Sequence, residues 1–243
     1  MEFLHNLNEV LKKAAIQDFK AMNNLFEKGH LWDWYGPEHL KTLLYLHQSD
    51  DGTYDVHQIS QAIAVKDAKG EPWPGPVMIE GILRDLEEVG LIRVTWGTTG
   101  IVSNQPFKVT TESLLYNWHL EGDFWKNLNG AIQEATYKDL QALRRLYRET
   151  DLLDQPPFFL RVLSWSTVNG SGKFLLQKVK DEFDDLLHHA WSLHDSRDAE
   201  SGLTWARKRR LLGITWGMPG EPFELDIRPL SGWGFTINAE VTA

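Results

Sequence analysis

The chain has 243 residues, 42% hydrophobic and 24% charged, with 11 tryptophans and no cysteine. That length allows one large domain or two small ones, and the missing thiols exclude disulfides, thiolate catalysis and cysteine-ligated zinc. The formal charge of −9 falls mostly on residues 31–120, where six Lys/Arg face twelve Asp/Glu, so that stretch as a whole is ill suited to a polyanion. No apolar run reaches the roughly 18 residues of a membrane span. Residues Met1 to Asn6 lack the basic and apolar regions of a signal peptide. A cytoplasmic protein that does not engage a membrane is the expectation.

Leu4, Leu7, Leu11, Phe19, Met22, Leu25 and Phe26 recur at helical spacing and predict one amphipathic helix over 2–28. Packing on its own domain and self-association or docking to a protein partner are the two readings of its apolar face. An aromatic linker, Leu31 to Gly36, follows. Pro37 opens a helix to His47 with Leu40, Leu43, Leu44 and Leu46 inward. After the turn Ser49-Asp50-Asp51-Gly52, Tyr54 is placed to pair with later strands. Asp55 caps a helix Val56–Val65 with Ile59, Ala62 and Ile63 facing the core. Lys66 to Gly75 reads as an inserted loop beside the N-terminus of the next helix, where backbone N–H groups favour phosphate.

In that next helix Val77, Ile79, Ile82, Leu83, Leu86 and Val89 repeat at helical spacing, and Gly90 supplies the left-handed cap. The pattern then turns β-branched at Leu91 to Trp96, passes through a turn-rich segment Gly97–Gln105, and returns at Phe107-Lys108-Val109. Helix, glycine, strand, loop, strand is the second half of a winged helix-turn-helix. Residues 37–110 resemble the winged-helix domains of bacterial regulators of the MarR, PadR and ArsR type, most specifically at Leu83-Arg84-Asp85-Leu86-Glu87-Glu88-Val89-Gly90-Leu91-Ile92. The resemblance implies a DNA-binding regulator whose exposed helix face enters the major groove. Those positions would be Met78, Glu80, Gly81, Arg84, Asp85, Glu87 and Glu88, of which only Arg84 is basic, and the wing tip 97–105 carries no cation. An acidic face of this kind also fits docking to a protein.

Thr111–His119 reads as a helix. Thr136 caps a helix Tyr137–Glu149 with Arg144, Arg145 and Arg148 on adjacent steps. Asp154-Gln155-Pro156-Pro157 breaks the chain, and Phe158–Val168 is apolar and ambiguous in state. Asn169 to Gly172 is a turn, Lys173–His194 a long amphipathic helix, and a short helix carrying Arg207-Lys208-Arg209-Arg210 ends at Gly213. Three short β-like runs follow at 214–216, 223–227 and 234–241. Val94-Thr95-Trp96-Gly97 before Pro106-Phe107 is echoed by Ile214-Thr215-Trp216-Gly217 before Pro222-Phe223, which admits a degenerate second winged helix.

Chemistry-bearing motifs are few. Gly170-Ser171-Gly172-Lys173 lacks the earlier glycine and the following Ser/Thr of a phosphate loop. Asp184, Asp185, His188, His189, His194 and Asp195 are spaced like metal ligands, yet a solvated helix face explains them as well. No nucleophile elbow or His-Glu-x-x-His is present. The expectations are therefore a mainly α fold with small β (α+β), divided into an N-terminal helix 1–30, a winged-helix domain 31–120 and a helical/α+β domain 121–243. No catalysis, metal or cofactor is expected. The candidate duplex-DNA contacts are Arg207, Lys208, Arg209, Arg210, Arg144, Arg145, Arg148, Lys66, Lys69 and Arg84.

Overall fold

The computed structural model describes residues 2–14, 17–18, 21–22, 25, 36–49, 52–96, 106–110, 122–150, 156–187 and 199–235. Among them the fold is mainly α with small antiparallel sheets. Helix α1 spans Glu2–Lys13 and buries Phe3, Leu4, Leu7, Val10 and Leu11. It does not run on to residue 28. Ala14 leaves the helix with a tightened bond from its N–H to the Leu11 carbonyl, 3.4 Å, and helical residues resume at Gln17. No Gly or Pro marks that break, and the apolar spacing continues across it, so the period alone reads straight through.

Pro37 starts α2 (Pro37–Gln48), whose Leu40, Leu43, Leu44 and Leu46 are buried. Strand β1 (Gly52–Tyr54) leads to α3 (Val56–Ile63), capped reciprocally: Gln58 N–H donates to Asp55 at 2.8 Å, and Asp55 N–H to the Gln58 side chain at 3.1 Å. Ile59 and Ile63 are buried, but Ala62 is exposed, and the helix stops before Val65. Val65–Lys66 (β2) pairs instead with Pro72–Trp73 (β3), so the insertion is a small hairpin. Its turn is held by Asp67, whose carboxylate accepts from the Lys69 and Glu71 N–H groups at 2.7 and 2.9 Å.

Helix α4 (Pro76–Glu88) buries Ile79, Ile82, Leu83 and Leu86. Two positions reverse the expectation. Val77 is 77% exposed, and Glu80 is buried with its carboxylate bonded to Arg84. The inward stripe starts at Ile79, one step later than the run of apolar letters. Gly90 closes the helix at φ 72, with Leu91 N–H donating to the Leu86 carbonyl and Gly90 N–H to that of Glu87, both at 2.9 Å. Strands β4 (Arg93–Thr95) and β5 (Phe107–Thr110) complete a sheet of order β1-β5-β4, with Tyr54 opposite Phe107.

The second half brings α5 (Asp123–Glu134), α6 (Tyr137–Glu149) and α7 (Pro156–Asn169), so the ambiguous apolar run is helical. Gly172–Phe174 is strand β6, which delays α8 to Leu176–Leu187. Helix α9 (Ala199–Lys208), strands β7 (Gly213–Thr215) and β8 (Phe223–Asp226) and the short α10 (Pro229–Gly232) follow. Residues beyond 235, with the third β-like run, and residues 111–119 lie outside the described residues. Helix α9 does not end at Gly213. It ends at Lys208 and is capped by Arg210, which takes φ 58 and repeats the Gly90 cap: Leu211 N–H donates to Ala206 at 2.9 Å and Arg210 N–H to Arg207 at 3.0 Å. Gly213 instead opens β7, where a Cβ would come within 3.0 Å of Asp226.

These elements recur about 120 residues apart. The sheet β6-β8-β7 has the order of β1-β5-β4, and the registers coincide: Gly172↔Leu225 and Phe174↔Phe223 match Gly52↔Val109 and Tyr54↔Phe107. Phe3, Asn6, Leu7, Asn8, Ala14 and Asp18 return as Phe124, Asn127, Leu128, Asn129, Ala135 and Asp139. Ile59 and Ile63 of α3 become Val179 and Phe183 of α8, both buried. Helices α7 and α8 thus stand before α9 as α2 and α3 stand before α4.

The chain divides into two compact units, residues 1–23 with 145–243, and residues 24–144. Asn23 and Arg144 are equivalent positions, so both cuts fall at the same place in the repeat. Each unit takes its leading helices from the other repeat: α1 packs on α7, and α5 packs on α2. The apolar face of α1 is covered in this way. The two caps give a direct test of the repeat. Arg210→Gly should raise stability by about 0.5–1 kcal/mol by relieving a left-handed non-glycine residue, whereas Gly90→Ala should cost about 1–2 kcal/mol. Urea unfolding of both variants measures this.

Candidate nucleic-acid interface

The candidate cations fall in both units. In the unit of residues 24–144, Lys66 and Lys69 are exposed on the β2–β3 hairpin. Arg84 donates to Glu80 at 2.7 and 3.1 Å and lies 4.6 Å over the Trp96 ring. Glu87, one turn on, accepts from Val94 N–H at 2.9 Å and from the Trp96 indole at 3.2 Å, fastening β4 to α4. The carboxylates of α4 are therefore partly structural, which a count of exposed letters does not show.

Arg144 is drawn into this unit. It bonds to Glu38, which is 1% exposed, and its guanidinium lies 5.8 Å over Trp73, itself edge-on to Tyr137 at 5.2 Å. Gly36 lines the pair closely, and a Cβ there would run into both head groups. Beside it His39 accepts from Gly36 N–H at 3.2 Å through Nδ1 and donates from Nε2 to Asp85 at 2.9 Å, tying α2 to α4. Burial pulls the His39 pKa below its ordinary 6.5, against the opposing pull of Asp85.

The remaining candidates lie in the other unit. Arg145 lies 4.8 Å over the Trp233 ring and donates to the Gly232 carbonyl at 2.9 Å and to Glu149 at 3.0 Å. The Trp233 indole N–H donates to the Arg210 carbonyl at 3.3 Å. Trp233 thus joins the end of α6 to the end of α9. Arg148, on the step after Arg145, is exposed, as are Arg207, Lys208 and Arg210, while Arg209 stacks 5.0 Å over Trp205. Arg228 is a further exposed cation, but it grips Asp226 at 2.8 Å through both head groups and holds that carboxyl below its usual range.

Trp233 and Arg228 escaped the sequence reading. Trp233 sits in Ser-Gly-Trp-Gly, which reads as a turn, and only its tryptophan among cation-rich segments hinted at more. Gly170-Ser171-Gly172-Lys173 is a structural turn: Gly170 takes φ 74 and the Ser171 hydroxyl accepts from Ile227 N–H at 3.1 Å. Residues 188–198, with the histidine cluster, lie outside the described residues, as do the side chains of Asp184 and Asp185. Among the described residues no group of three or more potential ligands is placed to hold a metal ion, and no helix is long and apolar enough to cross a membrane. Comparison with protein-family models, curated proteins and solved structures finds no match to this chain.

The Glu38–Arg144 pair should behave as structure. Glu38→Ala leaves a half-buried guanidinium without its carboxylate and should cost about 3–5 kcal/mol in urea unfolding. His39 carries a pH signature. Below pH 6.5 the unfolded chain binds a proton that the folded chain resists, so this contribution to stability is whole above that pH and declines as the pH falls. His39→Gln should flatten the decline in an unfolding series from pH 7.5 to about 5.

Proposed function

We propose that the chain is a non-catalytic, winged-helix DNA-binding protein of regulatory type in which the second repeat is the DNA-contacting one. The observation that carries this reading is the junction at Trp233. Arg145 on α6 and the basic end of α9 meet there, with tryptophans alongside the cations and Arg148 exposed one turn on from Arg145, a combination suited to a phosphate backbone. The equivalent positions of the first repeat have the opposite sign. Where α4 ends Glu87-Glu88-Val89-Gly90, α9 ends Arg207-Lys208-Arg209-Arg210. One scaffold thus presents an acidic helix end and a basic one.

The first repeat supports a complementary reading, in which its helix α4 docks a protein of a larger nucleic-acid-handling assembly. Val77 stands 77% exposed at the start of that helix, and Arg84 is engaged by Glu80. An apolar residue among carboxylates suits a protein surface better than phosphate.

A salt titration of full-length protein on random duplex DNA tests the assignment. Arg207→Glu with Arg210→Glu should weaken binding and reduce the log–log salt slope by about 0.9 per lost phosphate contact, while Lys66→Glu with Lys69→Glu should change both far less. Binding absent at low salt, or untouched by the α9 pair, would leave docking to a protein as the reading.

A further inference from the structure

The basic surface of the second repeat sets its cations and its rings differently. Arg148, Arg207, Lys208 and Arg210 are exposed. The tryptophans beside them are half-buried, and two of them carry a guanidinium over the ring: Arg145 lies 4.8 Å over Trp233 and Arg209 lies 5.0 Å over Trp205. The indole N–H of Trp233 donates to the Arg210 carbonyl at 3.3 Å. Trp216 is half-buried and tilts against Phe223 at 5.3 Å, and Trp165, 3% exposed, donates to Glu182 at 2.6 Å. Among the described residues no aromatic side chain is exposed, whereas the large apolar side chains Val77, Leu175 and Met218 are.

Cations beside aromatics fit two modes of binding nucleic acid, and the two modes ask opposite things of the ring. A ring that stacks a base must offer it an open face. A ring that seats an arginine gives that face to the guanidinium and fixes the planar fork before a phosphate arrives. Trp233 and Trp205 are arranged in the second way. Arg145 is held further, donating from Nη1 to the Gly232 carbonyl at 2.9 Å and from Nε to Glu149 at 3.0 Å. Its remaining N–H groups are thereby set in a fixed direction.

Resting on the DNA-binding reading above, we propose that this surface holds the sugar–phosphate backbone of duplex DNA and stacks no base, with Trp233 and Trp205 as positioning residues that seat Arg145 and Arg209. Affinity here comes from charge. A duplex carries one phosphate per about 1.7 Å of its axis, against one per about 3.4 Å along either strand, so the same cations hold the duplex more tightly.

A low-salt titration of the full-length protein with three probes tests this: a random duplex, one of its strands, and a strand of equal length made of abasic nucleotides, which keeps the phosphates and lacks the bases. Binding should be tightest to the duplex, with the two strands within about twofold of each other, because every stacked base would favour the base-bearing strand by about fivefold or more. Trp233→Leu, which unseats Arg145, should weaken binding to all three probes by a similar factor, and Trp233→Phe, which keeps a ring under Arg145, should weaken it less. A tryptophan that stacked would lose affinity only where bases are present. A strand that binds about fivefold or more tightly than its abasic counterpart, or more tightly than the duplex, overturns the proposal while leaving the DNA-binding reading in place. The comparison of the three probes on the parent protein decides even where Trp233→Leu does not fold. Absence of binding to every probe overturns the DNA-binding reading and this inference with it.

Discussion

Everything else in the structure depends on the burial of two equivalent amphipathic helices against partners far away in sequence. Helix α1 has a full apolar stripe that packs on α7, and α5 packs on α2 in the same way. The bond from Arg161 to Asn8 spans 153 residues, and that from Lys41 to Gln133 spans 92. The unit of residues 24–144 is one continuous stretch, and the other joins residues 1–23 to residues 145–243. Each closes only when the other repeat has given up its leading helices, so the energetics of the two units are linked through the chain even though each has its own core. Long loop closure also raises the contact order, which slows folding relative to a domain built from neighbours.

On this duplicated backbone the surfaces have diverged while the caps and registers have not. The glycine that starts β1 and β6, the aromatic that ends them, and the tryptophan after β4 and β7 stand at the same places. These are positions where a strand pair or a core contact restricts the side chain. Along the ends of α4 and α9 the charge inverts, from Glu87-Glu88 to Arg207-Lys208. Glu87 illustrates the division, since the residue that fastens β4 to α4 is replaced in the second repeat by the exposed Arg207.

Much of the first repeat was legible because its signals are local. Pro37 at a helix start, Asp55 with Gln58, and Gly90 before a β-branched run each act within a few residues. Other features were not legible. The break after Lys13 has no Gly or Pro to announce it. The exchange of helices was hidden because periodicity tells which face of α1 is apolar and not what covers it. The second repeat was visible in the sequence as Phe124-Trp-Lys-Asn-Leu-Asn against Phe3-Leu-His-Asn-Leu-Asn, but its helix pair was masked by Pro156-Pro157, which reads as a break and in fact opens α7. The basic run at Arg207 was plain in the sequence. Its meeting with Arg145 was not, because Trp233, which joins them, belongs to a third segment, and the partner of Arg144 lies 106 residues earlier.

The cap at Arg210 links the scaffold to the surface it carries. Its twin, Gly90, takes φ 72 at no steric cost, whereas Arg210 holds φ 58 with a long side chain attached. A left-handed non-glycine residue costs about 1–2 kcal/mol, and the hydrogen bonds of the two caps are alike, so the backbone gains nothing from arginine there. Trp233 ties the Arg210 carbonyl and leaves its side chain exposed beside Arg207 and Lys208. Under the proposed DNA-binding reading, an arginine kept at that cost is a cation whose side chain the surface uses. Arg210 differs in this from Arg144, whose charge is accounted for by Glu38: its strained backbone carries an exposed side chain, whereas Arg144 is held against a buried carboxylate.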